Sequence, residues 1–279
     1  MKIDTIKYLR TIDELISKHL WNEALNTALH LRNNAGSNFY HELTLSRLSA
    51  PNAILAGPAR TATTWLRGVL GKHPNVRSAQ GEPNFLFNIE SGNLSYALSQ
   101  YFRNDVWRGS PKENEIRCDK SPSYICLSDN SLRLLNALLP DLRIVFGLRD
   151  EVTRLWSVIH HRMNDLEFNG DWRSFCESNV REVSHHVCAG QIEFHIERWS
   201  AIVGKRNIVV VPHELLQVNP RAAVNIVLQH IGVRTCDELE DHERAGLERR
   251  MLSAEIKRKV GNPPYDLLTQ VRDIISSRN

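Results

Sequence analysis

Ile54-Leu55-Ala56-Gly57-Pro58-Ala59-Arg60-Thr61-Ala62-Thr63-Thr64-Trp65-Leu66 is an apolar strand, a tight turn, and a helix start rich in hydroxyls that carries one cation. That order of elements aims backbone N–H groups and the positive end of a helix dipole at an anion. It is not a Walker A loop, because Ala62 holds the second glycine position and no lysine follows it. A nucleoside triphosphatase is thereby disfavoured.

Outward from this stretch the chain alternates short β-rich runs with helical segments, the pattern of parallel βαβ units with right-handed crossovers. The expected strands are 53–56, 76–79, 116–118, 142–147 and 208–211; amphipathic helices are expected over 131–139, 154–163, 191–203 and 220–231. These predict an α/β, three-layer, P-loop-like fold with a central mostly parallel sheet, and a ligand at the carboxyl ends of its strands. Before Pro51 the apolar residues Tyr8, Ile12, Leu15, Ile16, Leu20, Ala24, Leu25 and Ala28 fall at helical spacing. Residues 1–50 therefore read as a helical N-terminal extension and 51–279 as the main domain. The charged tail from Asp237 reads as helices joined by a turn at 261–264.

Composition sets outer limits. At 279 residues and 42% hydrophobic, the chain can bury one large core, and a net charge of +3 calls for neither nucleic acid nor a membrane surface. Anion recognition must then be local. The five cysteines form no C-x-x-C pair, which argues against a disulfide framework or zinc knuckle and fits a reducing cytoplasm. No run approaches the roughly 20 apolar residues of a membrane span. His160-His161 and His185-His186 tempt a metal reading, but adjacent histidines on a helix point in different directions, and no metal is assigned.

Three further segments carry chemistry. Ile144-Val145-Phe146-Gly147-Leu148-Arg149 is a buried strand ending in an arginine, with Ser157 eight residues on in a helix; arginine offers phosphate oxygens a planar fork. An ordinary salt bridge at a strand end is the plainer alternative. Ile116-Arg117-Cys118-Asp119-Lys120-Ser121-Pro122-Ser123-Tyr124 places a lysine at the end of another strand. Gln80-Gly81-Glu82-Pro83-Asn84-Phe85 follows the second strand with a glutamate that is either a base or the cap of a turn.

Together these segments resemble the PAPS-dependent sulfotransferase family, in its glycosaminoglycan, tyrosylprotein and bacterial branch. Arg60 to Leu66 resembles the 5′-phosphosulfate loop, with Ala62 where glycine is usual, so that a negative φ is expected there. Arg149 and Ser157 match the 3′-phosphate motif, Asp119 to Pro122 the Asp/Glu-Lys-Ser-Pro segment, and Glu82 the glutamate base. Arg258 and Lys259 resemble the basic loop that closes over the cofactor. His213 to Leu216 with Asn219-Pro220 resembles a structural marker of the family.

The resemblance implies transfer of a sulfuryl group from 3′-phosphoadenosine 5′-phosphosulfate to an acceptor hydroxyl or amine by in-line displacement, without metal. On it, Glu82, Arg60 and Lys120 are catalytic: Glu82 takes the acceptor proton and the two cations neutralise charge. Arg60, Thr61, Ala62, Thr63, Thr64, Trp65, Arg149, Ser157, Arg258 and Lys259 hold the cofactor, with Trp65 either stacked on adenine or in the core. The expected partner is a small-molecule or carbohydrate acceptor, not nucleic acid, and the N-terminal helices are a possible contact surface. The rival readings are a P-loop-type kinase of a small metabolite, and a non-catalytic helical interaction protein on a degenerate nucleotide-binding fold.

Overall fold

A computed structural model describes residues 4–103, 115–251 and 262–278. The chain opens with helices α1 (Thr5–Ser17), α2 (Trp21–Ala35) and α3 (Phe39–Leu45). It continues through β1 (Ala53–Gly57), α4 (Thr63–Leu70), β2 (Val76–Ser78), α5 (Leu94–Arg103), β3 (Ile116–Lys120), α6 (Asp129–Leu138) and β4 (Arg143–Leu148). The second half runs α7 (Glu151–Asp165), α8 (Trp172–Ser178), α9 (Val180–Gly190), α10 (Ile192–Val203), β5 (Ile208–Pro212), α11 (His213–Val218) and α12 (Pro220–Ile231). Two tail helices follow, α13 (Asp241–Met251) and α14 (Leu267–Arg278).

The five strands form one parallel sheet in the order β2-β3-β1-β4-β5. Every residue of β1 is buried, as expected of a central parallel strand covered on both faces. Ile54 and Ala56 point to one face with Ile144 and Phe146, and α1, α2, α5, α6 and α10 cover them. Ala53 and Leu55 point to the other face with Val145, beneath α4, α12 and α13. The three layers expected from the sequence are thus present. Helices α7, α8, α9 and α14 pack in a third cluster beside the sheet, around Leu155, Ile159 and Phe175.

Residues 4–50 pack against the sheet. Leu9, Ile12, Ala24, Ala28 and Leu31 are fully buried in the same cluster as Ile54 and Phe146. A polar contact adds direction to this packing: Asp13 accepts from the backbone N–H of Leu94 at 2.5 Å and of Ser95 at 3.1 Å, and from the Ser95 hydroxyl. A residue of α1 therefore caps N–H groups at the start of α5 that have no partner within that helix, across 81 residues of chain.

The strand order puts β1 between β3, reached on one side, and β4, reached on the other, so that the connections diverge at the carboxyl end of β1. A crevice opens there in parallel sheets. Register brings the neighbouring ends together: Leu55 lies opposite Lys120 on β3 and Val145 on β4. Removing the α5 cap by Asp13→Ala should lower unfolding stability by about 1–2 kcal/mol in urea titration; an unchanged midpoint would show that apolar packing alone holds the N-terminal helices.

Candidate active site

The turn after β1 is squeezed between two neighbours. A Cβ on Gly57, whose φ is +113°, would lie 2.1 Å from the carbonyl oxygen of Pro122, in the 3₁₀ turn Pro122–Cys126 that follows β3. On the other side a Cβ on Gly147 of β4 would lie 2.3 Å from Thr61 Oγ1. Both glycines are needed because the loop passes where their side chains would stand. Thr61 folds inward, donating to the Pro58 carbonyl at 2.7 Å, so its hydroxyl shapes the loop.

Ala62 overturns one expectation. Its φ is +65°, in the left-handed region, and Arg60 two residues earlier is at +70°. The bend into α4 requires that conformation whichever residue occupies it, and alanine accepts it at a cost of order 1 kcal/mol. Thr63 and Thr64 then open α4, Thr63 buried and Thr64 exposed. Trp65 is buried at 2% exposure in the cluster of Leu66, Val69 and Val224, which is the core alternative, and it is also among the residues lining the cleft described below.

Arg149 and Ser157 meet this loop directly. Asp150 caps α7 by accepting from the N–H of Thr153 at 2.9 Å, so α7 starts immediately after Arg149 and carries Ser157 back across the loop. Arg149 donates to the Arg60 carbonyl at 2.9 Å, and Arg60 Nε donates to Ser157 Oγ at 3.1 Å. The Arg60 side chain, expected at the sulfuryl end, thus reaches toward Ser157. Burial first, and then the neighbouring charge of Arg60, push the Arg149 guanidinium below its usual value. Two half-buried cations held together in this way favour an anion between them.

Glu82 and Lys120 form the opposite side. Lys120, at the end of β3 with a side chain 5% exposed, is hydrogen-bonded to Glu82, whose side chain is 44% exposed. Their meeting depends on a buried network that the sequence did not announce. Asp119, fully buried, accepts from Ser121 Oγ at 2.7 Å, from Tyr124 at 2.9 Å, and from Tyr101 on α5. The same hydroxyls face the Glu82 segment: Ser121 Oγ accepts from the N–H of Asn84 at 3.0 Å and Tyr124 from that of Leu86 at 3.1 Å. Burial raises the Asp119 carboxyl above its ordinary value, against the pull of these three donors. The sequence marks Asp119 only as the first residue of the Asp-Lys-Ser-Pro segment, with no role attached, and nothing marks Tyr101.

One cleft of about 1830 Å³ collects these parts, lined on the loop side by Arg60, Thr63, Thr64 and Arg149, and across from them by Glu82 and Ser123. Ser157 lies in its wall, as does His213, whose imidazole burial and Arg149 hold below its usual value. Lys120 stands behind Glu82. Arg258 and Lys259 lie outside the described residues. Helices α7 and α9 extend the wall with His161, Arg162, Arg181, Glu182, His185 and His186.

The sulfotransferase domain model matches residues 50–249 of the chain, the span that carries the sheet, the loop and most of the cleft. The chain belongs to the sulfotransferase family. Among similar proteins, the bifunctional heparan sulfate N-deacetylase/N-sulfotransferase 1 of Caenorhabditis elegans is 21% identical over 192 residues, 64% of this chain and 22% of that protein. The human protein of the same name is 24% identical over 195 residues, again 22% of its length. This sulfotransferase therefore spans about a fifth of the curated relatives that it matches.

A crystal structure of a sulfotransferase from Alicyclobacillus acidocaldarius superimposes with a TM-score of 0.56 at 20% identity, over 76% of this chain and 98% of that one. A mouse sulfotransferase complexed with PAP gives 0.50 at 16% identity, over 82% of this chain and 76% of that one. The sulfotransferase fold is thus shared at low identity. No described helix is long and apolar enough to cross a membrane. For the loop itself, Ala62→Gly should raise unfolding stability by about 0.5–1 kcal/mol, the left-handed penalty less the glycine entropy; a loss of stability would show that the Ala62 methyl is itself packed.

Proposed function

We propose that this sulfotransferase uses 3′-phosphoadenosine 5′-phosphosulfate as donor and sulfates a hydroxyl or amine of a small-molecule or carbohydrate acceptor, with Glu82 as general base. The observation that carries the reading is the chain of contacts from Arg149 to the Arg60 carbonyl and from Arg60 to Ser157, which joins the two anion-binding motifs in one cleft. A nucleotide with phosphate groups at both ends of its ribose matches that pairing, and a solved protein of the same fold is complexed with PAP.

The residues present fit the donor. Loop N–H groups with Thr63 and Thr64 would hold the 5′-phosphate at the start of α4, and Arg149 and Ser157 the 3′-phosphate. When bound, the donor supplies the sulfuryl group and departs as adenosine 3′,5′-bisphosphate. Glu82, exposed to the cleft, takes the proton of the acceptor hydroxyl or amine. Lys120 keeps Glu82 oriented, and with Arg60 supplies positive charge on the two sides of the site. No nucleophilic side chain is required of the protein. Thr61, turned into the loop, contributes shape, and Trp65 supports the floor; Arg258 and Lys259 remain candidates for closing the cofactor end.

Two substitutions separate these roles. Glu82→Gln should lower kcat by at least about 100-fold while leaving the Kd for adenosine 3′,5′-bisphosphate within about twofold; retained turnover would remove Glu82 as the base. Arg149→Ala should weaken binding of the bisphosphate by roughly 10- to 150-fold more than that of adenosine 5′-monophosphate, measured by calorimetry. Equal losses for the two nucleotides would contradict the 3′-phosphate assignment.

A further inference from the structure

The cleft is larger than one ligand needs. Its volume of about 1830 Å³ exceeds the roughly 300–1,000 Å³ of an ordinary small-molecule pocket, and the donor-site residues occupy only one side. Away from those residues the lining includes α7 beyond Ser157 and the first two turns of α9, beside residues of α11 and Asn262 and Pro263. Helices α7 and α9 are fastened together: Arg154 of α7 donates to the His186 carbonyl at 2.6 Å, and Arg162 of α7 is hydrogen-bonded to Glu182 of α9. A Cβ on Gly190 would lie 2.2 Å from Arg154 Nη2, so the two helices are in close approach along their length.

The charge on this wall is uneven. Among the described residues, two carboxylates line the cleft and both are engaged, Glu82 by Lys120 and Glu182 by Arg162, with His186 Nε2 3.8 Å from Glu182. Asp165, at the outer end of α7, lies 3.5 Å from both His161 and Arg162. His186 is held neutral, because burial and then the neighbouring charges of His185, Arg154 and Arg162 push it down to about 4. Among the described guanidinium groups lining the cleft, Arg60, Arg149 and Arg162 all have partners; Arg181 has none. His185 stands one helical turn after Arg181 on α9, and both side chains line the cleft.

We infer that this wall is an acceptor subsite for an anionic group, in which Arg181 and His185 receive a carboxylate, or a comparable anion, of a hydrophilic acceptor. Ser178 and Asn179, just ahead of Arg181, also line the cleft; the Ser178 hydroxyl donates to the Ser174 carbonyl and the Asn179 amide to that of Phe175, which leaves the Ser178 oxygen and the second amide N–H of Asn179 for the hydroxyls of a saccharide. A guanidinium fork recognises a carboxylate bidentately, so the subsite discriminates by charge and geometry at once. This assignment rests on the proposed function, because it takes the other side of the cleft for the donor.

The test uses the full chain saturated with adenosine 3′,5′-bisphosphate and two probes, p-nitrophenyl β-D-glucuronide and the neutral p-nitrophenyl β-D-glucoside, with Kd values measured by NMR titration. The glucuronide should bind about tenfold tighter than the glucoside. Arg181→Ala, and separately His185→Ala, should shrink that preference toward unity while leaving glucoside and bisphosphate binding unchanged. Equal affinities in the unaltered chain, no measurable glucuronide binding, or a preference that neither substitution moves would overturn the subsite. Failure of the bisphosphate to bind would count against the donor reading alone, and the same pair of probes titrated without it would still decide the subsite.

Discussion

The turn between β1 and α4 can exist only because its neighbours leave it room and then hold it. Gly57 and Gly147 have no side chain where the Pro122 carbonyl and Thr61 stand, and the loop accepts left-handed conformations at both Arg60 and Ala62. Such conformations persist where surrounding contacts over-determine them. Here those contacts are the Thr61 bond to Pro58, the Arg149 bond to the Arg60 carbonyl, and the Arg60 bond to Ser157. The same bonds that fix the loop bring the strand-end arginine and the α7 serine beside it. Loop shape and anion chemistry are one arrangement.

The other half of the site is held from within the core. Asp119 and Glu82 are two carboxylates with opposite surroundings: one fully buried and surrounded by three hydroxyl donors, the other open to the cleft and paired with a single lysine. The buried one does not face the cleft. Through Ser121 and Tyr124 it fixes the backbone at Asn84 and Leu86, and so determines where the segment bearing Glu82 meets the end of β3. Buried networks of this kind are costly when incomplete and rigid when satisfied.

Much of this was legible because central parallel strands buried on both faces read as unbroken apolar runs: 53–56 and 142–147 lie within one residue of β1 and β4, and the Val-rich run 208–211 within one residue of the edge strand β5. β3 continues past the expected 116–118 to Lys120, because Asp119 and Lys120 pair with Ile54 and Leu55 of β1 while their side chains are satisfied by partners distant in sequence, Tyr101 and Glu82. The spacing from Arg149 to Ser157 could be read because a strand, a cap and two helical turns fix it locally. The φ of Ala62 could not, since a turn imposed by packing against β4 leaves no mark in composition. Nor could the α7–α9 wall, since the joint placement of the histidine pairs with Arg181 depends on how two helices pack.

The central claim is that one nucleotide spans the loop and the Arg149–Ser157 pair. A crystal structure of the chain with adenosine 3′,5′-bisphosphate tests it most directly. The account predicts the 5′-phosphate within hydrogen-bonding distance of the N–H groups and hydroxyls of Thr63 and Thr64, with the 3′-phosphate on Arg149 and Ser157. A nucleotide that left either group without a phosphate, or bound outside the cleft, would contradict it.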